Sequence, residues 1–583
     1  MAARSVRGCA LLAGGLLLAL ISWSAFFTPI TTAQVAGNPQ GQVQAHLAAG
    51  EFGPARNAAL GVSDARVRDR LLGDIAAAQM RAGAQQGSLA TATDIGSDLT
   101  RSGALQQVRS AAGSRWFGRG GGVQADFDPL IELITSTIEP DSWQDVGGPG
   151  SVNGFQGGVR VDSLGLLRRI PPRTDAALEA LRKSAGNVLS STNPRKPSAL
   201  RKISLNRLER ELQLRHAAGL PPDETMKLLA GLQRIKYVLL YPETGNLVIA
   251  GPAGDWKQDF EGRWIDAEKE RPLVQLDDLV VAFRNAYGQE GKFGCSINPT
   301  KPGLAAAQQV NDRWAKMGGI KSSSQREDFL EELRAGLGQQ DIVVYGIDPQ
   351  TRAARVLVEA DYRMKLVGMG LEEGTLGVTS YLKALDPKRD DLNNLSVLRW
   401  WFTLNYDALR ATEARDGFEL RGPGVKVLSE NEMLSAQGDR IHTGKSSEAN
   451  SEFAASFTKQ FEILAAKYPI YGELRNVFDL ALVAAVVRSH NLPEKINWHL
   501  THFGPDGTYE PELDFAPTKV DSVINHRIID GKHLVAGVSG GVTVDARSLA
   551  TVSAVKTDDY GLLKSERAAS HPKQLPRHGW WWD

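Results

Sequence analysis

The chain has 583 residues, and its 67 Lys and Arg balance 67 Asp and Glu, so the formal net charge is zero. Zero net charge excludes the strongly basic class of nucleic-acid-binding proteins, which need a positive footprint. With 42% hydrophobic and 23% charged residues, the composition is that of a globular protein. The length predicts about three or four domains.

The first 33 residues have the pattern of a secretory signal peptide. Arg4 and Arg7 precede an apolar stretch at 10–27, and Thr31-Thr32-Ala33 supplies the small residues that favour cleavage after Ala33. An uncleaved anchor is the alternative, because about 18 apolar residues nearly span a bilayer. No later stretch predicts a membrane span, so we expect an exported protein, periplasmic or secreted. Cleavage would leave Cys295 as the one cysteine, which excludes the class stapled by intramolecular disulfides.

Two segments of contrasting composition follow the signal. Residues 34–86 are rich in Ala and carry apolar side chains at helical spacing, which predicts a helical hairpin. Residues 87–124 are rich in Gly, Ser, Gln and Thr and end in a glycine cluster, which predicts a flexible linker.

Residues 125–195 predict a short α/β module. An Asp-Pro helix start predicts a helix at 128–138, a Gly-Gly-Pro-Gly turn precedes two strands at 151–155 and 158–162, and a second helix is expected at 175–189. The run LIELITSTIEPDSWQDVGGPGSV resembles the short secretin-type N-terminal modules of bacterial envelope proteins. That resemblance implies docking to partner proteins and not catalysis.

A basic segment overlaps this module. Residues 160–215 contain 13 Lys and Arg against 5 Asp and Glu, a local charge of +8. Arg168 and Arg169 are its candidate binding residues, for an anionic envelope polymer or an acidic envelope protein. The alternative is a solvated connecting segment with no ligand.

The remaining chain predicts α+β architecture built from helix-plus-hairpin units. In residues 196–445, a strand, a Pro-x-Thr turn and a second strand are expected at 236–250 and again at 343–361. Residues 446–553 predict two helices, with an Arg475–Asp479 pair inside the second, followed by strands at 496–503 and 533–544. The segment 554–583 is polar, contains prolines and predicts a disordered tail, although its Trp580–Trp582 run could dock on a partner.

The densest charged cluster is at 359–365, and it supplies the remaining candidate binding residues, Asp361, Arg363 and Lys365. Charged groups at the end of an element could line a cleft. The alternative makes Asp361 the N-cap of a helix that begins at Tyr362, with the neighbouring charges paired.

Two motifs suggest chemistry but lack its context. Gly537-Val-Ser539-Gly-Gly541 matches a serine nucleophile elbow, yet a strand-like run follows it, which favours a hairpin turn. His499 and His502 have a metal-like spacing, but on a strand they would point to opposite faces. We therefore predict no catalytic residue, metal site or cofactor, and the oligomeric state stays open.

Several separated runs resemble one family in order along the chain. They are DIVVYGIDPQTRAARVLVEADYRMKLVGMGLEEGTLGVTSYL, RWWF, GPGVKVLSENE and YPIYGELRNVFDLALVAAVV, within residues 200–550. They resemble exported planctomycete proteins that share domain of unknown function 1598, a family that implies an envelope or secreted setting but no activity. We expect a non-enzymatic binding or scaffold component of the bacterial cell envelope, the alternative being a hydrolase of an envelope polymer.

Overall fold

The computed structural model describes residues 39–112, 151–155, 158–162 and 193–583, apart from short gaps at 83, 289–290, 319, 321, 387, 391–394, 436–438, 530–531, 573–574 and 577. Within these residues it contains 17 α-helices and 19 strands, which confirms the predicted multidomain α+β class. The predicted helices at 128–138 and 175–189, and Arg168 and Arg169, lie outside the described residues. No helix among the described residues has the length and apolarity needed to cross a membrane.

The helices are numbered in chain order. They are α1 Pro39–Ala48, α2 Phe52–Leu60, α3 Ala65–Arg81, α4 Gln85–Ala92, α5 Asp98–Ala112, α6 Leu205–Ala217, α7 Glu224–Lys227, α8 Leu276–Tyr287, α9 Lys301–Lys316, α10 Ser323–Leu337, α11 Arg352–Gly368, α12 Tyr381–Ala384, α13 Glu448–Lys459, α14 Phe461–Lys467, α15 Pro469–Ser489, α16 Ala546–Ala550 and α17 Leu562–Ala569.

The strands are numbered in the same way. They are β1 Ser151–Phe155, β2 Gly158–Asp162, β3 Ser198–Ser204, β4 Tyr237–Tyr241, β5 Asn246–Ala253, β6 Trp256–Gln258, β7 Trp264–Asp266, β8 Phe293–Pro299, β9 Gln339–Tyr345, β10 Leu395–Asn405, β11 Ala408–Ala411, β12 Gly417–Arg421, β13 Gly424–Leu434, β14 Arg440–His442, β15 Lys519–Asp521, β16 Ile524–Ile529, β17 Lys532–Val544, β18 Lys556–Thr557 and β19 Trp581–Trp582.

The N-terminal region is a bundle of five helices. The predicted hairpin at 34–86 is wrong in its helix count, because the chain turns at Gly50 and the Asp64 side chain caps α3, which gives three helices. The predicted linker at 87–124 is also wrong as far as residue 112, since α4 and α5 lie there. Their few apolar side chains are buried against α3 and α6, and this burial outweighs the polar composition.

Two large mixed sheets form the rest of the fold. The eight-stranded sheet has the order β14-β13-β10-β17-β8-β9-β15, with β16 paired to β17. The seven-stranded sheet has the order β18-β11-β12-β4-β5-β3-β19. The predicted hairpins β1–β2 and β4–β5 are confirmed, each as an antiparallel pair.

One apolar core joins both sheets to α8, α11 and α15. Its members come from residues 196–445 and 446–553 alike, although these segments were predicted as separate domains. Helix α15 is buried on all sides between Ile470 and Val487, as its apolar sequence predicts. The expected Arg475–Asp479 pair is wrong, because Arg475 pairs with Glu462 and Asp479 with Arg234.

A set of buried charges ties α8, α11 and α15 to the β6–β7 hairpin, and we call it the buried ion network. Its members are Arg263, Asp278, Arg352, Arg355, Glu359 and Glu473. Glu473 on α15 accepts from Arg263 at 2.6 Å and from Arg352, while Arg355 lies 2.7 Å from Glu359. These ion pairs fix how α8, α11 and α15 pack on one another, because removal of any one partner would leave an uncompensated charge inside the core.

Three local predictions fail for reasons that lie outside the local sequence. The second hairpin, expected at 343–361, is wrong after β9, because Thr351 caps α11 and both sides of that helix are buried. The strand expected at 496–503 is wrong, since Glu209 accepts hydrogen bonds from Trp498, His502 and Phe503 and holds the segment in turns. The hairpin expected at Gly537–Gly541 is wrong, because the glycines lie within the unbroken β17.

The disordered tail predicted for 554–583 is wrong as well. Strand β19 pairs with β3, and α17 buries Leu563 against the outer face of the seven-stranded sheet. The fully buried Arg201 donates to Asp583 through Nε at 2.9 Å and stacks under Trp581 at 4.7 Å. The tryptophan run therefore packs inside this chain.

Candidate functional site

The predicted binding cluster at 359–365 is divided between the core and the surface. Asp361 lies in the middle of α11 and Lys365 in its last turn; both are fully buried and pair at 2.7 Å. Asp361 is not an N-cap, because α11 begins nine residues earlier. Both groups are enclosed, so the structure corrects their interpretation as surface binding residues: they form an internal ion pair.

Arg363 points to another part of the molecule. Its Nε lies 3.6 Å from Glu372, and its guanidinium lies 5.1 Å from the centre of the Tyr468 ring. It lines a cavity of about 510 Å³ beside Lys467. Asp361, Arg363 and Lys365 therefore do not form one site.

The strongest site geometry lies on the outer face of the eight-stranded sheet. Helix α11 packs on the inner face, while α9 and α10 cover the outer face only near Ile524 and Val535. The uncovered part is a cavity of about 300 Å³, which we call the cleft. Its lining side chains include Asn298, Tyr345, Arg399, Trp401, Arg440 and His442.

Strand register brings these side chains together. Arg399 of β10 stands opposite Glu430 of β13 and Ser539 of β17, and Trp401 stands opposite Gly541. Since side chains two residues apart point to the same face of a strand, Arg399 and Trp401 share the cleft. The same alternation puts Glu430 and Glu432 side by side.

The charged groups of the cleft are already paired with each other. Arg440 holds Glu432 through Nε and Nη2, both at 2.7 Å, and also donates to Asn298 at 2.7 Å. Arg399 lies 3.3 Å from Glu430 and 4.4 Å from the centre of the Trp401 ring. This set can donate and accept hydrogen bonds at adjacent positions.

Glu430 is held in its ionised form. Burial alone would raise the pKa of Glu430, but hydrogen bonds from the Gly444 N–H and from Arg399 hold it below its usual range. His442 adds Nδ1 contacts at 3.3 Å to Glu430 and 3.2 Å to Glu432. Glu430 therefore acts as an acceptor at neutral pH.

Ser539 lies beneath this set and is fully buried. Its Oγ accepts from Arg440 at 2.7 Å and donates toward the Leu398 carbonyl at 3.1 Å. A nucleophile elbow needs an exposed serine on a strand-to-helix turn, with a histidine in reach to take its proton. Ser539 is within a strand and its partners are an arginine, a carbonyl and a carboxylate, so its role here is to position Arg440.

Glycine makes the floor of the cleft flat. Gly541 has a φ of +152°, and a Cβ added there would lie 1.9 Å from the Cys295 carbonyl oxygen. A Cβ on Gly294 would lie 2.0 Å from the Val542 carbonyl oxygen, the acceptor of the Tyr345 hydroxyl. Strands β8, β9 and β17 can therefore lie this close together only because these two residues are glycines. Since the glycines have no side chains, Tyr345 and Trp401 project above a flat floor.

A cation is a second occupant that this geometry could take. One ligand atom each from Glu430, Glu432 and His442 lies within 4.8 Å of the others. Two arginines already neutralise both carboxylates, and a metal ion would have to displace them. The other two histidines with metal-like spacing are separated, since His502 is buried against Thr508 at 2.6 Å while His499 is exposed.

Two of the runs that resemble the family also carry a sequence signal for this cleft. Arg399-Trp-Trp401 and Glu430-Asn-Glu432 place polar or charged side chains at alternate positions of strand-like runs. Such alternation indicates one solvent-facing side of a strand. Which strands pair with which was not readable from the sequence.

Part of the cleft lies in a segment that is similar to a known family. No curated protein and no solved structure matches the chain. Residues 295–381, which run from β8 through α9, α10, β9 and α11 to the first residue of α12, are similar to the family described as Protein of unknown function (DUF1598).

Proposed function

We propose that this protein is a non-enzymatic binding component of the bacterial cell envelope, and that the cleft binds a sugar segment of an envelope polymer. The observation that carries the proposal is the open cleft itself, where the Trp401 ring stands beside adjacent hydrogen-bond donors and acceptors. Sugars present an apolar C–H face with neighbouring hydroxyls, and the ring and the Arg–Glu pairs offer the matching groups.

The same geometry favours binding over hydrolysis. A glycoside hydrolase needs one carboxyl group whose pKa is raised, so that it can donate a proton. The pKa of Glu430 is lowered, and Glu432 accepts hydrogen bonds from Nε and Nη2 of Arg440. Within the described part of the chain, Ser539 hydrogen-bonds to Arg440, the Leu398 carbonyl and Glu432, and to no histidine.

The envelope location rests on residues 1–33, which have the charge and apolar pattern of a signal peptide. Expression of the full chain in a bacterium, followed by fractionation and N-terminal sequencing, tests it. A mature protein that begins at Gln34 in an extracytoplasmic fraction supports export with cleavage. Recovery of the uncut chain from the cytoplasm contradicts it.

The binding test measures affinity for purified envelope polysaccharide fragments by calorimetry. We expect Trp401→Ala to weaken binding about 30-fold, the effect of losing a central aromatic contact. Tyr560→Ala is the matched control, because Tyr560 is an exposed aromatic residue outside the cleft. Equal affinity of the parent and Trp401→Ala for every fragment that binds, or no binding at all, contradicts the sugar assignment.

A hydrolysis assay separates binding from the enzymatic alternative. If the parent protein releases reducing ends from the polymer and Glu432→Gln abolishes this release, catalysis replaces the binding proposal. We expect no release above a boiled control.

A further inference from the structure

A second cavity lies far along the chain from the cleft, between the N-terminal bundle and the seven-stranded sheet. It has a volume of about 490 Å³, within the range of small-molecule sites. Its charged lining side chains are Asp94, Asp98, Arg101, Arg207 and Arg210, and Asn206 is one of its neutral polar side chains. Three arginines from two helices thus line one cavity.

The carboxylates in this cavity already have cationic partners. Asp94 pairs with Arg56 at 2.5 Å, outside the lining, and Asp98 pairs with Arg101 at 2.5 Å. Among the described residues, Arg207 and Arg210 form no direct ion pair with a lining carboxylate, although the charges of Asp98 and Glu211 act on Arg210 from nearby.

Arg207 and Arg210 contact neutral oxygens among the described residues. Arg207 donates to the side-chain oxygen of Asn246 at 3.0 Å and to the Gly579 carbonyl at 3.2 Å, and Arg210 donates to the Thr93 carbonyl. The Nε of Arg210 is buried with no hydrogen-bond partner among the described residues.

Arg101 supplies the second independent observation. Its side chain is 6% exposed, and its Nε is also buried with no hydrogen-bond partner in the described part of the chain. An unsatisfied buried donor of a charged group is costly, so such a donor in a polar cavity indicates an acceptor ligand.

The charges of the three arginines oppose one another. Burial lowers the pKa of Arg101, Arg207 and Arg210, and nearby carboxylates, chiefly Asp98 and Glu211, offset this lowering only in part. The positive charge of Arg210 lowers the pKa of the other two further. The first turns of α5 and α6 border the same space through Asp98 and Asn206, and helix N-termini add partial positive charge. An anion in the cavity would relieve both effects.

We infer that this cavity is a binding site for a small organic molecule that carries a phosphate group. Three guanidinium groups on different turns can approach three oxygens of a tetrahedral phosphate ester, whereas a carboxylate offers two oxygens in one plane. The volume leaves room for an organic part beside Ile496 and Leu575. The bound ligand would also join α5 of the N-terminal bundle to α6.

The test uses calorimetry on the full chain in a buffer without phosphate. Glycerol 3-phosphate and inorganic phosphate are the probes, glycerol is the uncharged control and succinate is the carboxylate control. We expect the phosphate ester to bind at least as tightly as inorganic phosphate, and glycerol to give no signal. No binding of either phosphate, or tighter binding of succinate, overturns the inference.

Substitutions place the binding in this cavity. Arg210→Gln should weaken glycerol 3-phosphate binding at least about tenfold, the effect of one charge-assisted hydrogen bond. Arg334→Gln removes an exposed arginine of α10 and should change nothing. Arg207→Gln provides the same test if Arg210→Gln fails to fold. Equal losses in the cavity variant and the Arg334 control would show binding to general positive charge and overturn the assignment.

Discussion

The buried ion network and the cleft each pair arginines with glutamates, but they differ in what surrounds the pairs. In the network, Glu473 is 1% exposed and its arginines come from the β6–β7 hairpin and α11. In the cleft, Glu430 and Glu432 are themselves buried, but their partners Arg399 and His442 are 32% and 59% exposed. An ion pair that is buried on both sides holds elements together, whereas an ion pair with a solvent-exposed partner can exchange that partner for a ligand. The same residue types therefore have different uses at different depths.

The largest effect is expected from a substitution in the buried ion network. Glu473→Gln removes the charge that Arg263 and Arg352 share, and we expect the free energy of unfolding to fall by about 4 kcal/mol. Urea denaturation followed by circular dichroism measures it. Glu331→Gln is the control, because its carboxylate is exposed and lies 3.9 Å from Arg334. A loss in Glu473→Gln as small as in the control would contradict a structural role for the network.

Acid should destabilise the protein through the same residue, Glu473. Burial raises the pKa of Glu473, but Arg352 and Arg263 outweigh it and bring the pKa to about 2, below the ordinary value of 4.5. A lowered carboxyl pKa stabilises the fold above 4.5, and that stability is lost as pH falls toward 2. We expect Glu473 to contribute on the order of 3 kcal/mol to this loss, measured by unfolding between about pH 5 and pH 2. A Glu473→Gln variant with the same pH dependence as the parent would refute it.

On the open side, Glu432→Gln should cost less. Arg440 keeps Asn298 and Ser539 as acceptors and borders solvent, so we expect a stability loss of about 1–2 kcal/mol. The same variant should bind the polysaccharide fragment more weakly than the parent. A stability loss equal to that of Glu473→Gln would mean that the cleft pairs are structural, and the contrast would fail.

The smallest effect is expected at the rim. Arg399 is about one-third exposed and lies 3.3 Å from Glu430, so Arg399→Gln should change the free energy of unfolding by less than about 1 kcal/mol. Urea denaturation beside Glu432→Gln gives the ranking. If Arg399→Gln destabilises the protein more than Glu432→Gln, depth does not order these effects.

The elements that the sequence predicts correctly are those whose stability depends on local residues. The apolar stripe of α15 and the turn between β4 and β5 are readable because the pattern and the turn residues agree. The first half of helix α11 was predicted as a strand, because residues 343–361 repeat the strand, Pro-x-Thr turn and strand pattern of residues 236–250. Its charged residues Arg352, Arg355 and Glu359 lie three and four positions apart, which is a helical spacing. These charges are buried in the ion network, and a local pattern does not distinguish a buried charge from an exposed one.

The cleft was less predictable than the fold class. It needs Arg399, Glu430, Arg440 and Ser539 to come from four strands, one of them parallel to its neighbour, and strand pairing across such separations has no local signal. The predicted candidates Asp361 and Lys365 were chosen for charge density alone. Because Asp361 and Lys365 lie inside a large core, they form a buried ion pair.

The pairing of β19 with β3 has a consequence for the time course of folding. Arg201 reaches Asp583 across 382 positions of sequence. At a synthesis rate of about 5–20 residues per second, β3 waits roughly 20–80 seconds for the strand that covers its edge. During that interval an unpaired edge is available to chaperones or to other chains. A protease that removed residues 580–583 from the folded protein would expose the same edge again.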